Sequence, residues 1–264
     1  MQTQRAAHDL PLDSHCDISV VSDNGEFRIS GGSGGSAPVT EHGMAAALDA
    51  VFARLHCAAL DRFADHIRIH AASGMGPDGM VLLVGEKRAG KTTLAVHLML
   101  QGFEMLGDEM VLLRNGVAVT FPRRFNLRQS ALALLPGLQK VTAGVPDGQL
   151  VAVDPLLAGQ PWRIRPAPVA AVVFIEPNHG EPAHAGPTRL HACPKLDMVR
   201  RVLPQCSPPG ARPNTWVADL CRTINRATTV TLSLGDLPSA TEAMRGLLTS
   251  LPAGHHLPPP LRFG

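Results

Sequence analysis

The 264-residue chain contains no tyrosine, and only 17% of its residues are charged. Its 24 basic and 22 acidic residues leave a net charge of +2, so charge alone does not indicate a nucleic-acid partner. No apolar run approaches the ~20 residues of a membrane-spanning helix, and residues 1–10 lack the apolar core of a signal peptide. The five cysteines are scattered and form no C-x-x-C pair, which is typical of reduced thiols. We therefore expect a cytoplasmic protein without a membrane segment.

The N-terminal quarter of the chain is predicted to form a small unit packed on a larger core. Hydrophobic residues make up 45% of the sequence, which is ample for a core. Residues 17–21 and 26–30 flank a turn sequence and predict a hairpin. A Gly/Ser-rich connector follows at 31–38, and the spacing predicts a helix over 44–63. The apolar face of this helix would carry Leu48, Val51, Phe52, Leu55 and Ala59.

The most informative motif is GEKRAGKTT at 85–93, which matches the phosphate-binding loop G-x-x-x-x-G-K-[ST]. An apolar run at 80–84 predicts a buried strand before it, and 93–100 predicts a helix after it. Gly85 and Gly90 would let the backbone curl around a phosphate, and the helix start adds partial positive charge. Lys91 would reach the β- and γ-phosphates of ATP, and the Thr92 hydroxyl would ligate Mg²⁺. The predicted nucleotide-binding residues are Gly85, Glu86, Lys87, Arg88, Ala89, Gly90, Lys91, Thr92 and Thr93.

Two acids follow the loop within twenty residues. Gly102 is predicted to stop the loop helix, 103–106 to form a short strand, and Gly107-Asp108-Glu109 to end it. A right-handed βαβ unit with neighbouring parallel strands would place both acids beside the loop. One acid could hold Mg²⁺ and the other could accept a proton from an attacking hydroxyl. The competing interpretation is a solvated pair of turn acids.

From His70 to Glu109 the sequence resembles the catalytic core of HPr kinase/phosphorylase and its shorter relatives. The resemblance rests on His70, on VLLVG at 81–85, on the loop, and on QGFEMLGDE at 101–109. It implies an α/β fold, a P-loop kinase core of the HPr kinase/phosphoenolpyruvate carboxykinase type, with a mixed sheet and flanking helices over 67–251. The implied roles are catalytic His for His70, loop Lys for Lys91, Mg²⁺ ligands for Thr92 and Asp108, and proton acceptor for Glu109.

The resemblance also implies an activity. The family phosphorylates a serine hydroxyl on a small protein with ATP and Mg²⁺. Some short relatives, the lasso-peptide kinases among them, phosphorylate a ribosomally made precursor peptide. The expected partner is thus a peptide or small protein that carries the acceptor serine. The related kinases are often oligomeric, so the sequence leaves open whether this chain forms a homo-oligomer.

Three arginines, Arg123, Arg124 and Arg128, follow a hairpin predicted around Arg114-Asn115-Gly116. They would either neutralise phosphoryl charge in the transition state or form a solvated basic loop, and both interpretations stay open. The spacing of His179, His184, His191 and Cys193 matches no standard metal-ligand pattern.

The remaining predicted elements are a strand over 67–71 that carries His70, a turn over 73–79, and a buried strand over 168–175. A helix around 216–224, a strand over 229–234, a last helix over 240–251 and a frayed tail over 252–264 follow.

Two departures from the family leave other functions open. Glu109 stands where the family has Asp, and the family's later Glu-containing signature is absent from the sequence. They motivate a second hypothesis, in which ATP sets the conformation of a regulatory switch and no phosphoryl group is passed on. A third hypothesis is a small-molecule kinase, whose mark would be a compact polar pocket beside Glu109.

Overall fold

The computed structural model describes residues 17–32, 37–121, 123–138, 150–161, 163–176, 186–210 and 215–251. They form two compact units, one ending at Ala64 and the other beginning at Asp65. No helix among these residues is long and apolar enough to cross a membrane. The predicted tail, 252–264, and part of the predicted connector, 33–36, lie outside the described residues.

The first unit is an antiparallel three-stranded sheet in the order β1-β2-β3, followed by a helix. Its elements are β1 (Ile18–Asp23), β2 (Glu26–Gly31), β3 (Val39–His42) and α1 (Met44–Asp61). The predicted hairpin is present, and its two turn residues, Asn24 and Gly25, have φ angles of 47° and 83°. These left-handed angles match the right-handed twist of the strands on either side.

The predicted apolar face of α1 is not buried. Leu48 and Phe52 are about half exposed, whereas Ala47 and Arg54 are buried. The Arg54 guanidinium donates hydrogen bonds to the carbonyls of Gly31 and Ala37, so the buried side of the helix carries a basic residue that the predicted apolar face did not include. The predicted packing of 1–66 on the core stays a prediction.

The second unit is a mixed α/β structure with helices on both faces of its sheet, as the sequence predicts. Its strands are β4 (Ile67–Ile69), β5 (Ala71–Gly76), β6 (Gly79–Gly85), β7 (Met105–Gly107), β8 (Val111–Arg114), β9 (Val117–Thr120), β10 (Phe125–Arg128), β11 (Leu150–Val153), β12 (Ala167–Ile175), β13 (Arg189–Ala192), β14 (Cys206–Ser207) and β15 (Thr228–Ser233). Its helices are α2 (Lys91–Leu100), α3 (Gln129–Leu132), α4 (Lys195–Val202), α5 (Trp216–Arg226) and α6 (Leu237–Ser250). Short 3₁₀ turns lie at Pro136–Leu138, Pro155–Ala158 and Leu203–Gln205.

The main sheet has the order β14-β4-β8-β9-β12-β6-β5-β7, and β15 and β13 continue it from the carboxyl half of β12. Strands β6, β12 and β15 are parallel to one another. All seven residues of β6 are buried, since the strand lies in the middle of the sheet. One apolar cluster joins the sheet to α2 and α6, and a second joins its other face to α4 and α5.

The predicted adjacency of the two strands around the loop helix is wrong. Strand β5 lies between β6 and β7 and is antiparallel to both, so β6 and β7 are parallel but not neighbours. This strand occupies residues for which the sequence predicts a turn, because Ser, Gly and Met have weak strand signals. Packing overrides that signal: Ser73 is fully buried, and a Cβ on Gly74 would lie 3.0 Å from the Met105 sulfur.

Strand β5 has a consequence for the edge of the sheet. Because it runs antiparallel to β6, its first residue, Ala71, pairs with Val84 near the carboxyl end of β6. His70 therefore lies between β4 and β5 at the same edge as the phosphate-binding loop. The predicted strand over 67–71 is accordingly interrupted at this histidine.

Gly107→Ala tests the close packing at the end of β7. A Cβ at this position would lie 2.5 Å from the Thr120 Cγ2 atom, whose hydroxyl is held 2.6 Å from the Ser73 hydroxyl. We expect a loss of about 1–3 kcal/mol in the free energy of unfolding, measured by urea denaturation. Adding Thr120→Ser removes the clashing methyl group and keeps the hydroxyl, so the double variant should recover part of the loss.

The control for this prediction is Gly246→Ala in α6, where a Cβ meets nothing within 4 Å. We expect that variant to be as stable as the parent or more so, by up to about 1 kcal/mol. Equal stabilities for Gly107→Ala and Gly246→Ala would contradict the close packing at Gly107.

Candidate active site

The predicted phosphate-binding loop connects the end of β6 at Gly85 to the start of α2 at Lys91. Its chain path needs both glycines. A Cβ on Gly85 would lie 2.8 Å from the Ile175 carbonyl oxygen, and one on Gly90 would lie 2.8 Å from the Leu234 Cδ2 atom. Gly90 also has a left-handed φ of 93°. The loop is thus a tight turn that only glycine can make at its two ends.

The middle of the loop is exposed, and the helix that follows it has no side-chain cap in the described part of the chain. Glu86, Lys87 and Arg88 are exposed, and Ala89 and Gly90 are half-buried. Gly90 is the N-cap of α2, and no side chain of the described residues caps this helix. The N–H groups of its first turn are therefore directed at the loop, where the helix dipole favours an anion.

Lys91 is buried and turns back over the loop. Its ammonium donates hydrogen bonds to the carbonyl oxygens of Gly85, at 2.8 Å, and Glu86, at 2.9 Å. Burial lowers the pKa of Lys91, and the nearby charges of Asp108 and Glu109 partly offset that effect. A phosphate entering the loop could take the place of the two carbonyls as the partner of this charge.

Thr92 and Asp108 are in direct contact, although 16 positions separate them in the sequence. The Thr92 hydroxyl donates a hydrogen bond of 2.6 Å to Oδ2 of Asp108. Asp108 is only 1% exposed, and its Oδ1 has no hydrogen-bond partner among the described residues. A buried carboxylate oxygen without a donor is costly, and a cation would relieve that cost.

The chemistry of this pair fits Mg²⁺. Among the described residues there is no group of three or more His, Cys, Asp or Glu side chains that could hold a metal ion by themselves. Mg²⁺ does not need such a group, because it commonly binds through one or two carboxylates together with phosphate oxygens and water. Thr92 and Asp108 supply hydroxyl and carboxylate oxygens at the edge where phosphates would lie.

Glu109 follows Asp108 in a left-handed conformation, with φ of 70°. Its carboxylate forms an ion pair with Arg123, in which Oε2 lies 2.7 Å from Nη1, and both side chains are 36% exposed. The backbone carbonyl of Glu109 lies 3.1 Å from Nδ1 of His70. Since a carbonyl can only accept, Nδ1 carries the proton in this contact, and His70 orients the backbone of Glu109.

The other two predicted arginines lie elsewhere. Arg124 faces Asp154 at 4.0 Å, and its side chain is 64% exposed. Arg128 is the last residue of β10, pairs through its backbone with Leu150, and is exposed. The structure thus brings Arg123 to the acids, while Arg124 and Arg128 lie along the two-stranded sheet of β10 and β11.

Sequence reasoning missed one acid at the same edge. Glu176 directly follows β12, whose Ile175 pairs with Gly85 at the start of the loop. Its Oε2 accepts a hydrogen bond of 2.7 Å from the Ser233 hydroxyl, and its Oε1 lies 3.5 Å from Nη1 of Arg201. A nine-residue, almost wholly buried strand that ends in an acid was the available signal.

Comparisons with known proteins add little to this geometry. No protein-family model matches the chain, and no curated protein does. Among solved structures, the chain is similar to an HPr(Ser) kinase/phosphatase from Coxiella burnetii, with 13% sequence identity and a TM-score of 0.33. The similarity covers 69% of this chain and 97% of that one. A likeness this distant does not indicate what the chain does.

Thr92→Val tests the contact between the loop helix and β7. The substitution leaves the buried Asp108 carboxylate without its hydroxyl donor, so we expect the ligand-free protein to lose about 1–3 kcal/mol of stability in urea denaturation. Thr93→Val is the matched control, one residue along the same helix. Similar losses in the two variants would show that the hydroxyl of Thr92 does not stabilise Asp108.

Proposed function

We propose that this protein is a Mg²⁺-ATP-dependent kinase that phosphorylates a serine hydroxyl on a peptide or small protein. The observation that carries the proposal is the Thr92–Asp108 hydrogen bond, which joins the start of the loop helix to a buried acid with an unpartnered oxygen. The next residue, Glu109, places a second carboxylate beside it. A phosphate loop, a metal-ligand pair and a base at one sheet edge are the parts that phosphoryl transfer requires.

Each residue has a role in this reaction. The loop backbone and Lys91 would hold the β- and γ-phosphates, with the ammonium leaving the carbonyls of Gly85 and Glu86. Thr92 and Asp108 would hold Mg²⁺, and the ion would supply positive charge to offset the charge that develops during transfer. Most of the rate enhancement would come from positioning and charge neutralisation, because phosphoryl transfer needs little covalent chemistry from the protein.

Glu109 is the proposed base, and Arg123 controls its availability. The Arg123 guanidinium forms an ion pair with the Glu109 carboxylate. A bound γ-phosphate offers Arg123 a more highly charged partner at this edge. Transfer of the guanidinium to the phosphate would free Glu109 to accept the serine proton and would add positive charge beside the transferring group.

The exposure of this region supports a polypeptide acceptor. Glu109 and Arg123 are each about one-third exposed, and His70 is exposed. A hydroxyl on a protein chain can therefore approach the base from solvent. Arg124 and Arg128 lie nearby in sequence with exposed side chains and could contact an acidic acceptor segment. A ribosomally made precursor peptide of the lasso type is one candidate acceptor.

The Glu109–Arg123 ion pair also favours a second candidate, a nucleotide-dependent switch. In that case ATP would change the position of Arg123 without transfer of the phosphoryl group. The two functions differ in product, since only the kinase leaves phosphate on another molecule.

Lys91→Ala and Glu109→Gln test the kinase proposal together. The protein, ATP and Mg²⁺ are incubated with the peptides and small proteins encoded beside its gene, and intact mass shows any gain of phosphate. Lys91→Ala should abolish the gain because the β- and γ-phosphates lose their buried cation. Glu109→Gln should still bind ATP but lose transfer, by about a hundredfold or more, because the amide cannot take the proton.

The matched control for Glu109→Gln is Glu104→Gln, another glutamate that pairs with arginines, Arg163 and Arg165. It should transfer phosphate like the parent. Normal turnover by Glu109→Gln would show that another group is the base. ATP binding by the parent without phosphate gain by any acceptor, small molecules included, would favour the switch.

Asp108→Asn tests the metal ligand. ATP affinity is measured by calorimetry with Mg²⁺ and with EDTA. The parent should bind ATP more tightly with Mg²⁺ than with EDTA. In the variant this gain in affinity should be smaller by a factor of at least about ten, because losing even an outer-shell contact to a metal has an effect of that size. Asp197→Asn, on the exposed face of α4, should keep the full gain. An unchanged Mg²⁺ effect in Asp108→Asn would remove Asp108 from the metal site.

A further inference from the structure

We propose that Glu176, positioned by Ser233 and Arg201, binds the ribose hydroxyls of the nucleotide held at the loop. This inference rests on the proposed function, because it requires a nucleoside triphosphate at Gly85–Lys91. It adds a nucleoside site to a phosphate site, and it assigns a role to an acid that the phosphoryl-transfer machinery does not use.

The order of the strands fixes the direction of the nucleotide. The metal-ligand acid and the base both follow β7, which lies on one side of β6 with β5 between them. The γ-phosphate must lie toward these acids, since its transfer needs both of them. The α-phosphate and the nucleoside must then extend to the other side of β6, where β12 and β15 end.

The first group on that side is Glu176. Ile175 pairs with Gly85 across β12 and β6, and with Leu232 across β12 and β15. Neighbouring strands are about 4.8 Å apart, so Glu176 stands roughly one strand spacing from the loop. Its N–H donates a 2.9 Å hydrogen bond to the Leu232 carbonyl, which holds its backbone at the sheet edge. The ribose, which directly follows the α-phosphate, would reach this position.

The chemistry of Glu176 suits a pair of hydroxyl groups. A carboxylate has about four acceptor sites, and Ser233 and Arg201 occupy one oxygen each. Two sites remain for the 2′- and 3′-hydroxyls of a ribose, which are both donors. The side chain is one-third exposed, so a ligand can reach it. Acid-to-ribose contacts of this kind also bind dinucleotides at the carboxyl edge of parallel strands.

Arg201 makes the carboxylate compatible with a nearby polyphosphate. A lone acid beside the α-phosphate would repel it, whereas the guanidinium 3.5 Å away balances the charge. The guanidinium carbon also lies 5.3 Å from the centre of the Phe174 ring, which holds the arginine against the sheet. The Ser233 hydroxyl fixes the other oxygen of Glu176 from β15.

The test compares nucleotides that differ only in the ribose. Binding of ATP, 2′-deoxy-ATP, 3′-deoxy-ATP and inorganic tripolyphosphate is measured for the parent, Glu176→Gln, Ser233→Ala and the control Glu242→Gln. The control changes an exposed glutamate that pairs with Arg245 on α6. We expect the parent to bind ATP about tenfold or more tightly than either deoxynucleotide, because each lost hydroxyl removes a hydrogen bond to a charged acceptor.

In Glu176→Gln the ratio of the affinity for ATP to the affinity for either deoxynucleotide should fall toward one. Tripolyphosphate should bind to this variant as it does to the parent. Ser233→Ala should lower the preference partially, since it loosens the carboxylate without removing it. Glu242→Gln should keep the preference of the parent. If Glu176→Gln does not fold, the ribose assignment is tested by Ser233→Ala and by the binding of the deoxynucleotides to the parent.

The possible failures are distinguishable. The ribose assignment is wrong if the parent binds tripolyphosphate and all three nucleotides equally well, or if Glu176→Gln keeps the full preference for ATP. In either case Glu176 only connects β12 to β15 and α4. If the parent binds neither tripolyphosphate nor ATP, the proposed function fails and this inference with it.

Discussion

The hydrogen bond between Thr92 and Asp108 is the contact on which the candidate site depends. It connects the first turn of α2, which follows β6, to the end of β7, two strands away in the sheet. A carboxylate that is 1% exposed is tolerated only with such a donor and with the Lys91 charge close by. The position of β7 in turn requires a residue without a side chain at Gly107, because a Cβ there would clash with Thr120. The loop, the Thr92–Asp108 pair and Glu109 are therefore held by the packing of the sheet.

The charged groups of the site are mostly paired within the protein. Lys91 donates to two loop carbonyls and Arg123 pairs with Glu109, so both cations have acceptors in the protein itself. Oδ1 of Asp108 is the exception, and it is buried without a donor. Ligand binding at such a site is an exchange of partners, in which the net gain is smaller than the sum of the new contacts. The unpaired oxygen gives a cation the largest advantage.

The sequence predicts the parts of this site that depend on local pattern. The loop, its flanking strand and helix, the following acids and the hairpin at Asn115-Gly116 all have short-range signals. The sequence does not predict which strands lie next to each other in the sheet. The Ser73-Gly74 segment has a turn-like composition, and its strand forms because small residues fit between β6 and β7. Glu176 was missed for the same reason, since only the pairing of β12 with β6 brings it beside the loop.

The inserted strand β5 also gives the site its width. With β5 between them, β6 and β7 are roughly two strand spacings, about 10 Å, apart. Under the proposed function, the phosphates would extend over the end of β5 toward the acids that follow β7. That same strand begins next to His70, whose Nδ1 lies 3.1 Å from the Glu109 carbonyl oxygen. The insertion of β5 therefore sets both the distance between the loop and the residues after β7 and the position of His70 beside Glu109.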